Sequence, residues 1–215
     1  MIAGIIGGGY IDDYVDFKEC LNKCDLVICA DGGIRHLIKI NISPDVLIGD
    51  FDSCNREFVE QHIIENTKIY SHNPIKDDTD MQLCINYALD SGCDEIVVFA
   101  ALGGRMDHEL SNILNLKYIL DKGAKGTIYS KYNQIFITDS HIRIPRKDGF
   151  KISVIPLTPT ADGVTIKGTY YTLENGSIRQ GTSLGISNEF DSEYADITVE
   201  NGVLLVVISK DTLNI

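Results

Sequence analysis

Two aspartates one residue apart, Asp50 and Asp52, follow an apolar run and a glycine in Val46-Leu-Ile-Gly-Asp-Phe-Asp-Ser53. Carboxylates this close repel each other by about 4 kcal/mol at ~4 Å and intermediate dielectric, unless a cation or proton sits between them. A hard divalent ion such as Mg²⁺, commonly with phosphate, is the natural partner for such oxygens. The same stretch reads equally well as a polar turn in which Asp52 caps the next helix. More acids recur in similar settings. Asp31 follows the apolar run 26–30, Asp77, Asp78 and Asp80 lie in Lys76-Asp-Asp-Thr-Asp80, and Asp107 lies in Gly103-Gly-Arg-Met-Asp-His108. In the second group Asp77, Asp78 or Thr79 can serve as an N-cap. Glycines accompany the acids at Gly7–Gly9, Gly32-Gly33, Gly49 and Gly103-Gly104. Glycine lets backbone approach a ligand closely and offer N–H groups to phosphate, although tight turns need it too. Lys76 and Arg105 are the neighbouring cations. Arg105 can grip a phosphate bidentately or hold an aspartate in an ion pair. His108 reads as a helix-start histidine. Neither GxGxxG nor GxxxxGK[ST] occurs, and no Ser-His-Asp set can be argued. Acids, glycines and two cations suit phosphoryl or nucleotidyl transfer, where catalysis is mostly positioning and charge neutralisation by metal.

These residues need a scaffold that ends several strands at one edge. From residue 1 to about 125, short apolar runs alternate with helical patterns. Runs at 1–6, 26–30, 46–48, 68–70, 96–101 and 127–129 read as strands, and 13–21, 34–40, 56–65, 79–89 and 107–120 read as helices. In the 79–89 helix Met81, Cys84, Ile85, Ala88 and Leu89 form one buried stripe. In the 107–120 helix the stripe is Leu110, Ile113, Leu114 and Tyr118. Strands alternating with helices imply βαβ units and a mostly parallel sheet covered on both faces. In such sheets ligands bind at the carboxyl ends of strands, where most of these acids fall.

The pattern changes near residues 143–149. Short segments rich in Val, Ile, Thr and Tyr follow, with no further helix, and Asn175-Gly176 and Asn201-Gly202 are hairpin-turn signals. The expectation is an α/β N-terminal domain over residues 1–140, including a strand at 134–137, and a C-terminal all-β sandwich over 141–215.

Composition narrows the function classes. A formal net charge of -12 argues against binding a nucleic-acid backbone, but not against nucleotides carried with a metal. The start is not a signal peptide, and no apolar stretch approaches the length of a membrane span. Six scattered cysteines, without a CxxC pair or zinc-spaced histidines, point to reduced structural thiols in a cytoplasmic protein.

Ala30-Asp-Gly-Gly33, Gly49-Asp-Phe-Asp-Ser53, Lys76-Asp-Asp-Thr-Asp80, Gly103-Gly-Arg-Met-Asp-His108 and Gly185-Ile-Ser-Asn-Glu189 occur in an order that resembles the thiamine pyrophosphokinases. The likeness covers nearly the whole chain. It implies transfer of pyrophosphate from ATP to the thiamine hydroxyl, giving thiamine diphosphate and AMP. It also implies a homodimer in which the nucleotide and metal site of one subunit faces the thiamine-binding domain of the other. By motif position, Asp50, Asp52 and Asp80 are the expected Mg²⁺ ligands, and with Asp77 and Arg105 they form the expected catalytic set. Asp31, Lys76, Thr79, Arg105 and Asp107 are the expected ATP contacts. Ser187, Asn188 and Tyr171 are the expected thiamine contacts, although Gly168-Thr-Tyr departs from the Gly-Leu-Lys usual before the aromatic position. The rival readings are another Mg²⁺-dependent kinase or nucleotidyl transferase acting on a small alcohol, and a non-catalytic nucleotide-binding regulatory module.

Overall fold

The structure, a computed structural model, describes residues 1–49, 67–71 and 78–211. It divides into two compact units, Met1–Lys131 and Tyr132–Ile215. The helix expected at 56–65 lies outside the described residues.

In the first unit six strands run parallel in the order β6-β5-β1-β2-β3-β4. They are β1 (Ile2–Ile6), β2 (Leu26–Ala30), β3 (Val46–Gly49), β4 (Lys68–Ser71), β5 (Glu95–Phe99) and β6 (Lys125–Tyr129). The helices are α1 (Tyr14–Leu21), α2 (Ile34–Ile40), α3 (Asp80–Asp90) and α4 (Met106–Asp121). Two of them begin at a side-chain cap. The Asp13 carboxylate caps α1 by accepting from the N–H groups of Val15 and Asp16, and the Thr79 hydroxyl caps α3 by accepting from Gln82 N–H. Ile6, Cys29, Leu47 and Phe99 pack with Phe17 and Leu21 of α1 and with Ile34 and Leu37 of α2. Helix α3 lies over β1, β2 and β3, and α4 over β6. Chain order runs outward from β1 to β4 and then returns to β5 on the other side of β1. That reversal is a topological switch point, and crevices form at the carboxyl ends of the strands flanking it.

The face α4 buries differs from the expected one. Leu110 and Leu114 are more than half exposed, whereas Leu116 and Ile119 are fully buried. The helix carries two apolar stripes, and Gly126 of β6 selects between them. A Cβ on Gly126 would stand 2.9 Å from Leu116 Cδ2 and 3.3 Å from Ile119 atoms, so the missing side chain is the recess they fill.

The second unit contains two antiparallel sheets, in the orders β12-β9-β14-β7 and β11-β10-β13-β8. Its strands are β7 (Asn133–Thr138), β8 (His141–Pro145), β9 (Lys151–Pro156), β10 (Thr160–Lys167), β11 (Leu173–Arg179), β12 (Asn188–Glu189), β13 (Tyr194–Thr198) and β14 (Leu204–Ser209). Ile152, Val154, Leu204, Val206 and Ile208 from one sheet meet Val164, Ile166, Ile178, Ala195 and Ile197 from the other in a shared core. This is the expected sandwich. The division falls at 131/132 rather than at 140/141, because the 133–138 strand finds its partner far along the chain, in β14.

Neither Asn-Gly pair makes a hairpin. Asn175, at φ 46, lies inside the single strand β11, opposite register shifts in β10. The left-handed residue the motif supplies is used for a bulge. Asn201-Gly202 links β13 to β14, which belong to different sheets. The five described cysteines form no disulfide with one another, and burial pushes the Cys24 thiol up to about 11. That fits packing better than reactivity.

Candidate active site

The sequence of β1 runs apolar to Ile6 and then into three glycines, and the pairing with β5 continues past both strand ends. Gly7 N–H donates to Phe99 O at 2.9 Å, Gly9 N–H to Ala100 O at 2.7 Å, and Tyr10 N–H to Leu102 O at 2.8 Å. A Cβ on Gly9 would lie 2.4 Å from Leu102 O and 2.5 Å from Ala100 O, so no larger residue fits this close approach. Gly8 has no atom within 4 Å of where its Cβ would be. The loop therefore hugs the sheet at Gly9 and opens at Gly8 into a cleft of about 630 Å³. The cleft is built at the switch point from the ends of β1, β2 and β5, the N-terminus of α3 and the first turns of α4.

At the end of β2 the chain turns sharply through the Asp31–Gly33 3₁₀ segment, with Asp31 at φ 32. This is a strained value for a residue with a side chain. Gly49 is what makes room: a Cβ there would stand 2.9 Å from Asp31 Cβ. Asp31, Thr79, Asp80, Arg105 and Asp107 all line the cleft. The structure thus brings five expected site residues, from three separated motifs, to one cleft. Asp50, Asp52, Lys76 and Asp77 lie outside the described residues.

Electrostatics distinguishes the acids. Asp107 pairs with Arg105 at 2.6 Å and accepts from its own helix through His108 N–H at 3.0 Å. The guanidinium holds the Asp107 carboxyl below the usual carboxylate range, and the pairing raises Arg105 further. Both side chains face solvent, so the pair is loosely held and open to a competing anion. Glu109 takes both N–H groups of the glycine pair, Gly103 at 3.0 Å and Gly104 at 2.7 Å, through Oε1. Those donors, expected to face phosphate, are occupied by a carboxylate of the same loop. Glycine pairing after β5 thus sets up a helix start in α4. Of the expected Mg²⁺ ligands, Asp80 is the one among the described residues, and it lines the cleft. A carboxylate oxygen is a hard donor of the kind that ion takes.

Four lining or supporting residues carry no sequence signal of their own. Arg35 donates to Gly8 O and, at 3.4 Å, to Gly9 O. His36 is buried beneath the same loop, with Nε2 3.0 Å from Gly9 O and Nδ1 2.8 Å from the Tyr14 hydroxyl. Lys39 donates to that hydroxyl at 3.1 Å. Asn112 donates to Ala101 O at 2.9 Å and fixes the β5 end against α4. Each is chosen by where β1 and β5 stop, which only the folded sheet determines.

In the second unit Tyr171 and Asn188 line a smaller cavity of about 230 Å³ with Ile166, Leu173, Leu184 and Ile186. Ser187 precedes Asn188 at φ 59, a left-handed conformation for a residue with a side chain, and donates its N–H to Ser153 Oγ at 2.9 Å. Tyr171 is 68% exposed and meets Tyr170 edge to face, 4.9 Å between ring centroids. Asn188 is only 5% exposed, and its amide is engaged on backbone groups.

Comparison with known proteins finds one family model in each unit. The model of the thiamin pyrophosphokinase catalytic domain matches residues 17–128, and that of the thiamin pyrophosphokinase vitamin B1 binding domain matches 139–204. A thiamine pyrophosphokinase of Bacillus subtilis (strain 168) is 31% identical over 96% of this chain and 98% of its own length. Thiamine pyrophosphokinase 1 of Oryza sativa subsp. japonica is 28% identical, covering 86% of this chain and 80% of its own. Among solved structures, thiamine pyrophosphokinase from Bacillus subtilis superposes with a TM-score of 0.87 at 28% identity, covering 98% of this chain and all of that one. The enzyme from Candida albicans, at 20% identity and a TM-score of 0.79, shares the fold. With one family model over the cleft-bearing unit, a second over the β-sandwich and full-length relatives, the chain belongs to the thiamine pyrophosphokinase family.

Proposed function

We propose that the protein transfers the pyrophosphoryl group of ATP to the hydroxyl of thiamine, giving thiamine diphosphate and AMP. One observation supports this above the rest: a cleft at the sheet's switch point gathers Asp31, Thr79, Asp80, Arg105 and Asp107 around the open face of Gly8. Such an arrangement receives a polyphosphate. In this reading the Gly7–Gly9 loop approaches the nucleotide. Arg105 and Lys76 meet the charge of the phosphates, with Arg105 leaving Asp107 for the stronger anion. Thr79 and Asp107 hold the nucleotide beside them. Asp50, Asp52 and Asp80 would hold Mg²⁺, with Asp77 as a further acid of the catalytic set, and the bound ion would offset charge on the transferred group. The bond formed joins the thiamine oxygen to the β-phosphorus, and the bond broken releases AMP. Asn188 and Tyr171 line the cavity proposed for the thiamine ring, and Ser187 adjoins Asn188 in the chain.

The working form is proposed to be a cytoplasmic homodimer with its active site between subunits. No helix among the described residues is long and apolar enough to cross a membrane. Incubation with ATP, Mg²⁺ and thiamine tests the reaction. AMP and thiamine diphosphate should appear together. Formation of ADP and thiamine monophosphate would replace this reading by a simple kinase, and ATP binding with no product would replace it by a regulatory module. Sedimentation equilibrium with and without thiamine tests the dimer.

A further inference from the structure

Asn188 is expected to touch the acceptor, yet its amide is spent inside the protein. Its Oδ1 accepts from Tyr171 N–H at 3.0 Å and from Glu189 N–H at 2.9 Å, and its Nδ2 donates to Tyr171 O at 2.6 Å. The two bonds to Tyr171 reproduce the reciprocal N–H and C=O exchange of an antiparallel bridge, with a side chain in place of a second backbone. They extend a backbone ladder already present, in which Thr169 bridges Phe190 and Tyr170 N–H donates to Glu189 O at 2.9 Å. The Thr169 hydroxyl adds a third tie, donating to Tyr171 O at 3.1 Å. The result is a clamped backbone carrying an unclamped ring. Tyr171 backbone groups are fixed by a buried amide, while its ring stands exposed at the rim of the 230 Å³ cavity.

We infer that Asn188 is a positioning residue, which sets the Tyr171 ring at the mouth of this cavity and governs an aromatic acceptor through that ring rather than by contact. The inference rests on the proposal that this cavity takes the thiamine ring. Asparagine suits the task for a chemical reason. It presents one acceptor and one donor at the spacing of a peptide group, and it is short enough to do so from a strand beside the loop. Aspartate keeps the acceptor but sets an oxygen against Tyr171 O. Alanine removes both bonds and leaves the Tyr171 N–H and C=O without these partners.

The test is a double-mutant cycle on the full-length protein. Asn188→Ala and Tyr171→Ala should each raise the KM for thiamine about 10-fold, with kcat and the KM for ATP within about 2-fold of the parent. The double variant should be no worse than Tyr171→Ala, since Asn188 has nothing left to position. Multiplying effects, a normal thiamine KM in Asn188→Ala, or a normal thiamine KM in Tyr171→Ala alone would each overturn the inference. Asn188→Asp should reproduce Asn188→Ala if the donor to Tyr171 O matters, and full activity in it would count against the clamp. A second readout needs no activity. The chain has no tryptophan, so Tyr171→Trp supplies the sole indole emission. Adding Asn188→Ala to it should speed the nanosecond anisotropy decay, and an unchanged decay would overturn the positioning role. Failure of the proposed reaction itself shows differently, as absence of AMP from the parent protein with thiamine.

Discussion

Acid titration of His36 gives the sharpest test of how the glycine loop is held. Gly9 O can only accept, so Nε2 carries the proton. Nδ1 then accepts from the Tyr14 hydroxyl, whose oxygen in turn receives Lys39. That chain works only for the neutral ring. A second proton on Nδ1 would face the Tyr14 O–H and stand near Arg35 and Lys39. Burial, the largest cause, together with these two cations lowers His36 from 6.5 to about 4. Between those values the unfolded chain binds the proton and the folded one does not, so folding stability rises with pH there. The contribution is complete above about pH 6.5 and is lost as pH falls through about 4. The full gap is worth roughly 3 kcal/mol at 1.36 kcal/mol per tenfold, and screening from the wet cleft trims this to about 2 kcal/mol. Urea unfolding of the parent and of His36→Gln at pH 7, 5.5 and 4.5 measures it. Carboxylates titrate in both proteins and cancel in the difference. The parent should lose about 1 kcal/mol more than the variant by pH 5.5 and about 2 kcal/mol more by pH 4.5. Parallel pH profiles would show that His36 is not held neutral, and would refute the network drawn from its geometry.

Gly9→Ala should raise the KM for ATP about 10-fold or more and lower the melting temperature, because its Cβ meets two backbone carbonyls. Gly8→Ala, with open space around its Cβ, should leave the melting temperature unchanged, and equal losses in the two would remove the contrast. Asp80→Asn and Asp52→Asn should each cut turnover by orders of magnitude with unfolding transitions like the parent's. Near-normal turnover would sink the metal assignment. Leu116→Ala should cost about 2–4 kcal/mol, whereas Leu114→Ala, at 56% exposure, should cost less than about 0.5 kcal/mol. Denaturant titration distinguishes them, and the reverse order would place the other face of α4 on the sheet.

Much of the first unit was legible because its signals are local. Short apolar runs became β1 to β6, and Thr79, one of the N-cap candidates, caps α3. Signals that depend on a distant partner were read less well. In α4 the apolar pattern admits two faces, and the recess at Gly126 picks one. Asn175-Gly176 supplies a left-handed residue in any setting, but only the pairing of β10 with β11 turns it into a bulge rather than a hairpin. The 133–138 segment looks like another strand of the α/β unit until β14, some seventy residues later, pairs with it.

The sequence by itself determined the chemistry: acids, glycines and Arg105 at the ends of successive strands, suited to a polyphosphate and a hard cation. Residue types and spacing carry that much, since a strand end is marked locally by where apolar residues stop. The tertiary structure alone decided how that inventory is used. It buried His36 under Gly9 and turned the Asn188 amide inward onto Tyr171. Hydrogen-bond partners are chosen by three-dimensional proximity at a buried site, and no spacing along a single chain encodes that.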